Sequence, residues 1–390
     1  METSKDVVLP LRIEERLKEI ITNEGYKQFN IHVDILPPDG GNYLGILYEI
    51  TADGIAFDGL KKRTHFFIKH LGDCRLIFVS VKEAYMREIF AYSHIFKYFH
   101  ELETEANIPV EERYKTPKFY GVVDDSAIIM ENLTKRGFKV PNRMDTVPLK
   151  LAELAVENMA KFHSLAFALE KKHPEFVKNN LRDLDILFNF SDEMRQYMEN
   201  ASKYITPYLD ENSRTKVKSY DGKIFDKFRQ GWFKPTSVSC LCHGDFRLSN
   251  ILMRETNGKI ADAIVIDYQF INYGSPMNDF FLIIFSCTDK EFRRDNMENL
   301  KRLYYGSMER YLKYLNIDVE SVYPRDVFES DYNDKLELGL PIALSMSPFI
   351  YVCNEDAKDI NDRVLSLKMD DRYVDRMRGV IEDYIEWGFL

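Results

Sequence analysis

Apolar positions along this chain change their spacing several times, and each change marks an element. Between residues 10 and 25, Leu11, Ile13, Leu17, Ile20 and Ile21 recur at helical spacing among charged residues, which predicts a leading helix. From Asn30 the period falls to two. Ile31, Val33 and Ile35 alternate with polar residues over Asn30–Leu36, the mark of a half-exposed strand. Pro37-Pro38-Asp39-Gly40-Gly41-Asn42 is a turn, and Leu44–Ala52 and Thr64–His70 read as the next two strands. One amphipathic helix is expected from about Val81 to Thr104, then two strands, Lys118–Val123 and Ala127–Glu131, around Asp124-Asp125.

The rest of the chain is mostly helical in pattern. Leu151, Leu154, Ala155, Met159, Phe162, Leu165, Ala166 and Leu169 form the buried stripe of a long helix, Leu149–Glu170, with His163 just outside the stripe. Pro174 opens a less regular stretch, and two helices are expected between about Asp192 and Gln230. Asn257-Gly258 is a strong two-residue hairpin signal. Centred there, a hairpin lays Ile251–Arg254 along Ile260–Asp267. Asn250 then falls nearly opposite Val265, with Asp267 one diagonal step away. Asp279 stands at the head of Phe280-Phe281-Leu282-Ile283-Ile284-Phe285, as a cap of that helix or a brace for a neighbouring loop. Residues 286–390 are helical and aromatic, with Tyr304, Tyr305, Tyr311, Tyr314, Tyr332, Phe349, Tyr351 and Trp387 available to core and pocket alike.

Size and charge narrow the function. A chain of 390 residues can bury a large core. A net charge of −10 with no long basic run argues against nucleic acid as the main partner, and it makes a local cationic site necessary for any anionic nucleotide. Five cysteines are few, and Cys240-x-Cys242 lacks a second half at zinc spacing, so reduced thiols are expected. Met1-Glu2-Thr3-Ser4-Lys5-Asp6 has no signal-peptide apolar core. The uncharged run Leu338–Cys353 is shorter than the roughly 20 residues of a membrane span. A cytoplasmic protein with no membrane partner is expected.

The chemistry lies in Cys242-His243-Gly244-Asp245-Phe246-Arg247-Leu248-Ser249-Asn250 and Ile264-Val265-Ile266-Asp267. An Asp with an Asn five positions on, then an Asp at the end of an apolar strand, is a layout for phosphoryl transfer. Asp245 can orient a hydroxyl and accept its proton. Asn250 and Asp267 can hold Mg²⁺ against ATP phosphates. Lys69, in the apolar strand Phe66-Phe67-Ile68-Lys69, is the candidate for the nucleotide phosphates, with Glu88 or Glu83 on the following helix as its partner. Gly40, Gly41, Asn42 and Gly45 form a Gly-rich turn that could present backbone N–H groups to phosphates. The strand end at Met130-Glu131-Asn132-Leu133 would meet the adenine edge through the backbone near Glu131 and Leu133. Only about one turn of chain separates Asp267 from the next core helix. A polypeptide acceptor therefore has no platform, and no protein substrate is expected.

His243-Gly244-Asp245 with Asn250 is similar to the loop of aminoglycoside and choline kinases. Glu88-Ile89-Phe90-Ala91-Tyr92, Ile129-Met130-Glu131-Asn132-Leu133, Ala160-Lys161-Phe162-His163-Ser164-Leu165, Asp267-Tyr268-Gln269 and Tyr273-Gly274-Ser275-Pro276 look like the insect ecdysteroid kinase-like (CHK kinase-like) family within that superfamily. The resemblance runs from about residue 30 to beyond 350. It implies a bilobal α+β kinase-like fold, with a nucleotide-binding lobe over 1–133 and a catalytic and acceptor-binding lobe over 134–390. It also favours Glu88 over Glu83, because Glu88 and Tyr92 reproduce a family phrase, and it gives His243 and Asp279 supporting roles. Arg247 stands where many members carry Trp, and Asn272 precedes Tyr273 where Arg is common.

The resulting expectation is ATP-dependent phosphorylation of a hydroxyl on a small molecule, an ecdysteroid or a similarly bulky neutral alcohol or phenol. A choline- or aminoglycoside-like kinase is the first alternative, with Glu355, Asp356, Asp359 and Asp362 as an acidic cluster for a cationic acceptor. A catalytically silent binding protein on a kinase fold is the alternative of another class.

Overall fold

A computed structural model describes residues 8–36, 45–72, 79–220, 222–234, 236–353 and 368–390. Gly40, Gly41 and Asn42 of the Gly-rich turn, and the acidic stretch 354–362, lie outside the described residues.

The chain has an N-terminal antiparallel sheet of five strands and a mostly helical remainder, an α+β fold. Helix α1 (Leu11–Asn23) buries Ile13, Leu17, Ile20 and Ile21, whereas Leu11 faces solvent. Strands β1 (Tyr26–Ile35), β2 (Ile46–Ala56), β3 (Lys61–His70), β4 (Phe119–Val123) and β5 (Ala127–Glu131) stand in the order β1-β2-β3-β5-β4. Tyr48, Ile50, Phe66, Ile68 and Ile129 from the sheet pack with the α1 residues into one small core. The first three strands run further than their alternation predicts. Asp53 and Gly54 are weak strand formers, but they face Arg63 and Lys62 across the β2–β3 ladder, and pairing outweighs propensity.

The helix expected over 81–104 is two helices, α2 (Val81–Phe90) and α3 (Phe96–Glu105), joined by a π turn at Ala91–Ile95. That wide turn carries Tyr92 into an aromatic cluster, with ring centroids 5.2 Å from Phe96 and 5.8 Å from Tyr268. Residues of α2 and α3 join the large core of the helical region. Arg87 ties α2 to that region by donating to the carbonyls of Asp185 and Ile271.

Beyond the two-residue strand β6 (Phe138–Lys139) comes α4 (Leu149–Lys172). It is buried on more than one face, and His163 is fully enclosed. The stretch after Pro174 is helical too, as α5 (Pro174–Asn180), with Pro at the first turn where its missing N–H costs nothing. Three helices rather than two follow: α6 (Asp192–Ile205), α7 (Glu211–Tyr220) and α8 (Ile224–Phe233). The extra break comes at Pro207, and Asp210 restarts the chain by accepting from the Ser213 N–H at 3.0 Å.

The middle of the helical region holds β7 (Cys240–Cys242), the hairpin β8 (Ile251–Thr256) and β9 (Lys259–Val265), and β10 (Asn272–Gly274), which pairs with β7. Helices α9 (Pro276–Cys287), α10 (Lys290–Tyr314), α11 (Arg325–Lys335), α12 (Gly339–Tyr351) and α13 (Arg372–Glu386) complete the fold. The cap of α9 is Ser275, whose hydroxyl accepts from Met277 N, so Asp279 in the first turn is left for other work. Most of the C-terminal aromatics are core: Tyr304, Tyr305, Tyr311, Tyr332 and Tyr351 are all buried, while Tyr314 and Trp387 face solvent. No helix among the described residues is long and apolar enough to cross a membrane.

Candidate active site

The site is assembled around the β8–β9 hairpin. Asn257 and Gly258 both adopt positive φ at its tip, as the Asn-Gly signal requires. The register then departs from the expected one. Thr256 faces Lys259 and Glu255 faces Ile260, but Arg254 faces Asp262, so Ala261 is an extra residue on β9. Asp262 fixes this bulge, its carboxylate accepting from Lys115 and Arg254 and from the Ala263 N–H. One inserted residue shifts every pair beyond it. Ile251 faces Val265, and Ile266 N donates to the Asn250 carbonyl at 2.9 Å, so Asn250 is opposite Ile266 rather than Val265. Asp267 is thereby the next residue along.

Asp267 itself is left-handed, at φ 70° and ψ 63°, a costly conformation for a residue with a side chain. Its Oδ1 lies 2.6 Å from Lys69 Nζ, and Lys69 also donates to Glu88 Oε2 at 2.7 Å. Glu83 is elsewhere, paired with Arg87 one helical turn on at 2.8 Å. The buried Gln269 amide completes the cluster with its oxygen toward Lys69 (3.0 Å) and its nitrogen toward Asp267 (3.1 Å). Burial opposes the charge of Lys69, yet Asp267 and Glu88 together raise its pKa above the ordinary value. Burial likewise opposes ionisation of Asp267, but Lys69, with Arg247 behind it, holds that carboxyl below the usual range. Burial pushes Glu88 up to about 7 against the pull of Lys69.

The Asp245 loop follows β7 and is held from beneath. Asp279 Oδ2 accepts from His243 N at 2.7 Å and its Oδ1 from Gly244 N at 2.8 Å. The same carboxylate faces His163 Nε2 at 3.1 Å, and His163 Nδ1 meets the Tyr304 hydroxyl at 2.8 Å. Burial lowers the pKa of His163, but Asp279 and Cys242 together more than offset this and raise it to about 9. His243 Nε2 donates to the Ile266 carbonyl at 3.0 Å, leaving Nδ1 to accept from Asp245 N at 3.2 Å. One imidazole thus ties the loop to β9.

Asp245 is buried but not idle. Asn250 Nδ2 donates to its Oδ2 at 2.8 Å and to its carbonyl at 2.9 Å. Arg247 Nε lies 2.9 Å from both carboxylate oxygens. Sequence reasoning noted Arg247 only as a departure from a family pattern and gave Gln269 no role; the signals were an arginine two positions past the Asp and a polar residue in an apolar run.

Asn250 Oδ1 accepts no hydrogen bond among the described residues, since its amide nitrogen faces Asp245. With the Asp267 carboxylate it makes an all-oxygen donor pair of the kind Mg²⁺ takes. Counting charges, Glu88 and Asp267 share one cation, Lys69, and Asp245 is matched by Arg247, which leaves net negative charge for a divalent ion.

Of the expected nucleotide contacts, Gly45 precedes β2, where a Cβ would strike the Tyr85 hydroxyl and the His70 carbonyl; close packing alone demands glycine there. At the end of β5, Glu131 N donates to the Lys118 carbonyl and its carboxylate pairs with Arg136, so its side chain looks outward. Leu133 begins a short 3₁₀ turn and packs with Phe138, Leu252, Ile264 and Ile266 into a separate apolar cluster beside the hairpin.

Among curated proteins, the chain is similar to the uncharacterized oxidoreductase dhs-27 of Caenorhabditis elegans, 22% identical over 207 residues. That match takes in 50% of this chain and 24% of the relative, so the chain spans about a quarter of the relative's length. Solved structures that resemble it include the GDP complex of wild-type aminoglycoside 2'-phosphotransferase-IIIa, at a TM-score of 0.43 and 11% identity over 97% of this chain and all (100%) of that one. A glucosamine kinase matches with a TM-score of 0.36 and 10% identity over 95% and 97% of the two chains. The profile of the ecdysteroid kinase-like family matches residues 39–317, well over half of the sequence and every described polar residue of the site. The chain belongs to the ecdysteroid kinase-like family.

Proposed function

We propose that this protein is a small-molecule kinase that moves the γ-phosphoryl group of ATP to a hydroxyl. The observation that carries the reading is the joining of two clusters, Lys69, Glu88 and Asp267 on one side and Asp245 and Asn250 on the other, through Ile266, which bonds to both Asn250 and His243 and adjoins Asp267. In this reading Asp245 binds the acceptor hydroxyl, orients it and takes its proton. Asn250 holds the Asp245 carboxylate in position. Because phosphoryl transfer has a loose transition state, alignment matters more than base strength. Lys69, steadied by Glu88, bears on the α- and β-phosphates. Asn250 and Asp267 would hold Mg²⁺, which when bound neutralises phosphate charge. His243 and Asp279 keep the loop in place. The stretch from Gly40 to Gly45 would cover the phosphates, and the backbone at Glu131 and Leu133 would take the adenine.

Residues 1–133 would then form the nucleotide-binding lobe and 134–390 the catalytic and acceptor-binding lobe. The acceptor we favour is a bulky neutral alcohol or phenol such as an ecdysteroid. The family assignment supports it, as does the matching of Asp245 by Arg247, which removes the bare negative charge a cationic acceptor would seek. The free thiols of Cys240, Cys242 and Cys287 suit a cytoplasmic setting. The test is a panel of sterols, phenols, amino alcohols and aminoglycosides incubated with enzyme, ATP and Mg²⁺ and read by mass spectrometry. A phosphate added to sterols or phenols supports the reading. Turnover confined to choline or aminoglycosides sinks the acceptor class, and no transfer to any hydroxyl sinks the kinase.

A further inference from the structure

Strand β7 carries a cysteine at each end, and the two-residue period of a strand turns both side chains to one face. Helix α4 packs against that strand and brings His163 to the same place. The two sulfurs and an imidazole nitrogen all lie within 4.8 Å of one another. All three residues are buried, Cys240 and Cys242 at 1% exposure and His163 at 0%. No other three of His, Cys, Asp and Glu gather in this way among the described residues. Cys240-x-Cys242 has no second half at zinc spacing in the sequence, but the fold supplies a third ligand from a distant helix.

A buried cysteine is ordinarily a small apolar filler. The histidine sets this pair apart. Its Nε2 faces the Asp279 carboxylate at 3.1 Å, the kind of partner that orients a metal-bound imidazole and strengthens it as a ligand. Nδ1 is then the nitrogen for an ion, and the Tyr304 hydroxyl, 2.8 Å from it, is at hand as a fourth donor. The donor set selects the ion. Thiolate and imidazole suit zinc, whereas magnesium and calcium take oxygen. Two thiolates balance the charge of a divalent ion, so the sulfurs and the ion together bury no net charge. In a tetrahedral zinc site, Zn–S bonds of about 2.3 Å put neighbouring sulfurs roughly 3.8 Å apart, so the group has to draw in by about 1 Å at most.

We infer that His163, Cys240 and Cys242 form a structural zinc site that staples α4 to β7 beneath the Asp245 loop. It is separate from the Mg²⁺ position proposed at Asn250 and Asp267, and it stands whether or not the protein is a kinase. Binding forms a bond from each sulfur and from Nδ1 to the ion. The two thiol protons and any proton on Nδ1 leave to solvent, and nothing is oxidised or reduced. The Nε2 proton stays between His163 and Asp279, so the carboxylate keeps its two bonds to the His243 and Gly244 N–H groups.

Because the ligands are enclosed, the ion has to enter as the chain folds. The full chain is therefore expressed in medium supplemented with Zn²⁺ or Co²⁺ and purified without chelator. The wild type should carry about one ion per chain by elemental analysis. Its cobalt form should show thiolate-to-cobalt charge transfer and tetrahedral d–d bands, and X-ray absorption of its zinc form should find two sulfurs bonded to the metal. Its thermal midpoint should be higher than that of protein expressed in metal-depleted medium. Cys240→Ser, Cys242→Ser and His163→Asn should each lose most of the ion, while Cys353→Ser should keep it. Zinc bound through nitrogen and oxygen alone, or a wild type that carries no metal, overturns the inference even if the three site variants do not fold. Undiminished metal content in those three variants overturns it as well.

Discussion

Asp279 and His163 meet at 3.1 Å with neither side chain exposed to solvent, although 116 residues separate them. The pair sits directly beneath the His243-Gly244 backbone, whose two N–H groups donate to the Asp279 carboxylate.

Its pH dependence has a definite sign. The His163 pKa rises from 6.5 in the free residue to about 9 in the fold. A raised pKa means that folding takes up a proton between those values. The stabilisation is complete below about pH 6.5 and is lost as pH climbs through about 9. The thermal midpoint of the wild type should therefore fall relative to that of His163→Asn between pH 6.5 and 9. Parallel curves over that window would show that His163 does not carry the charge.

Asp245→Asn and Asp267→Ala should fail differently. The first should bind Mg·ATP normally and lose transfer by several orders of magnitude, because it removes the group that orients and deprotonates the hydroxyl. The second should weaken Mg·ATP binding, since it removes one of two carboxylates on Lys69 and, in the proposed reading, an oxygen for the metal. Equilibrium nucleotide binding alongside single-turnover kinetics separates them. Near-native turnover by Asp245→Asn would remove Asp245 from the chemistry.

Lys69→Ala and Glu88→Ala should each impair the nucleotide step, and the double variant should be little worse than either single one. The expected interaction energy is about 0.5–3 kcal/mol for residues in direct contact. Glu83→Ala, whose carboxylate pairs with Arg87, should be additive with Lys69→Ala. Coupling at Glu83 with additivity at Glu88 would reverse the assignment.

Gly244→Ala should destabilise the fold by about 1–3 kcal/mol, measured by urea denaturation. Gly244 sits at φ +79°, and a Cβ there would strike the Phe270 carbonyl and lie 2.6 Å from Asn272 Nδ2. An alanine variant as stable as the wild type would mean that the loop has room to shift.

What the sequence made legible follows from the range of the forces involved. The Asn257-Gly258 turn and the strand Ala127–Glu131 depend on neighbours in the chain, and both stand where the pattern puts them. The bulge at Ala261 was hidden because Lys115, which helps fix Asp262, is 147 residues away. The π turn at Ala91–Ile95 was hidden for the same reason: the periodicity continues across it, and what draws Tyr92 inward is Tyr268. Local capping rules left Asp279 open between two roles, and only the position of Ser275 decides that the cap lies four residues earlier. Arg247 was visible as an oddity, but its contact with Asp245 depends on a turn that no periodicity encodes.

The bulge on β9 also separates two kinds of evolutionary freedom. On the Asn250 side of Ala261, the register is anchored where Arg254 faces and pairs with Asp262, and deleting Ala261 would slide Asp267 out of step with Asn250. On the far side, residues 255–259 are exposed, and among the described residues the ion pair that reaches out from them is Glu255 with Lys139. The hairpin tip can therefore lengthen, shorten or accept a foreign peptide without disturbing the register below it. It offers a place to seat a fluorescent label on the hairpin that Asn250 and Asp267 flank, where nucleotide-dependent motion could be followed without touching either residue.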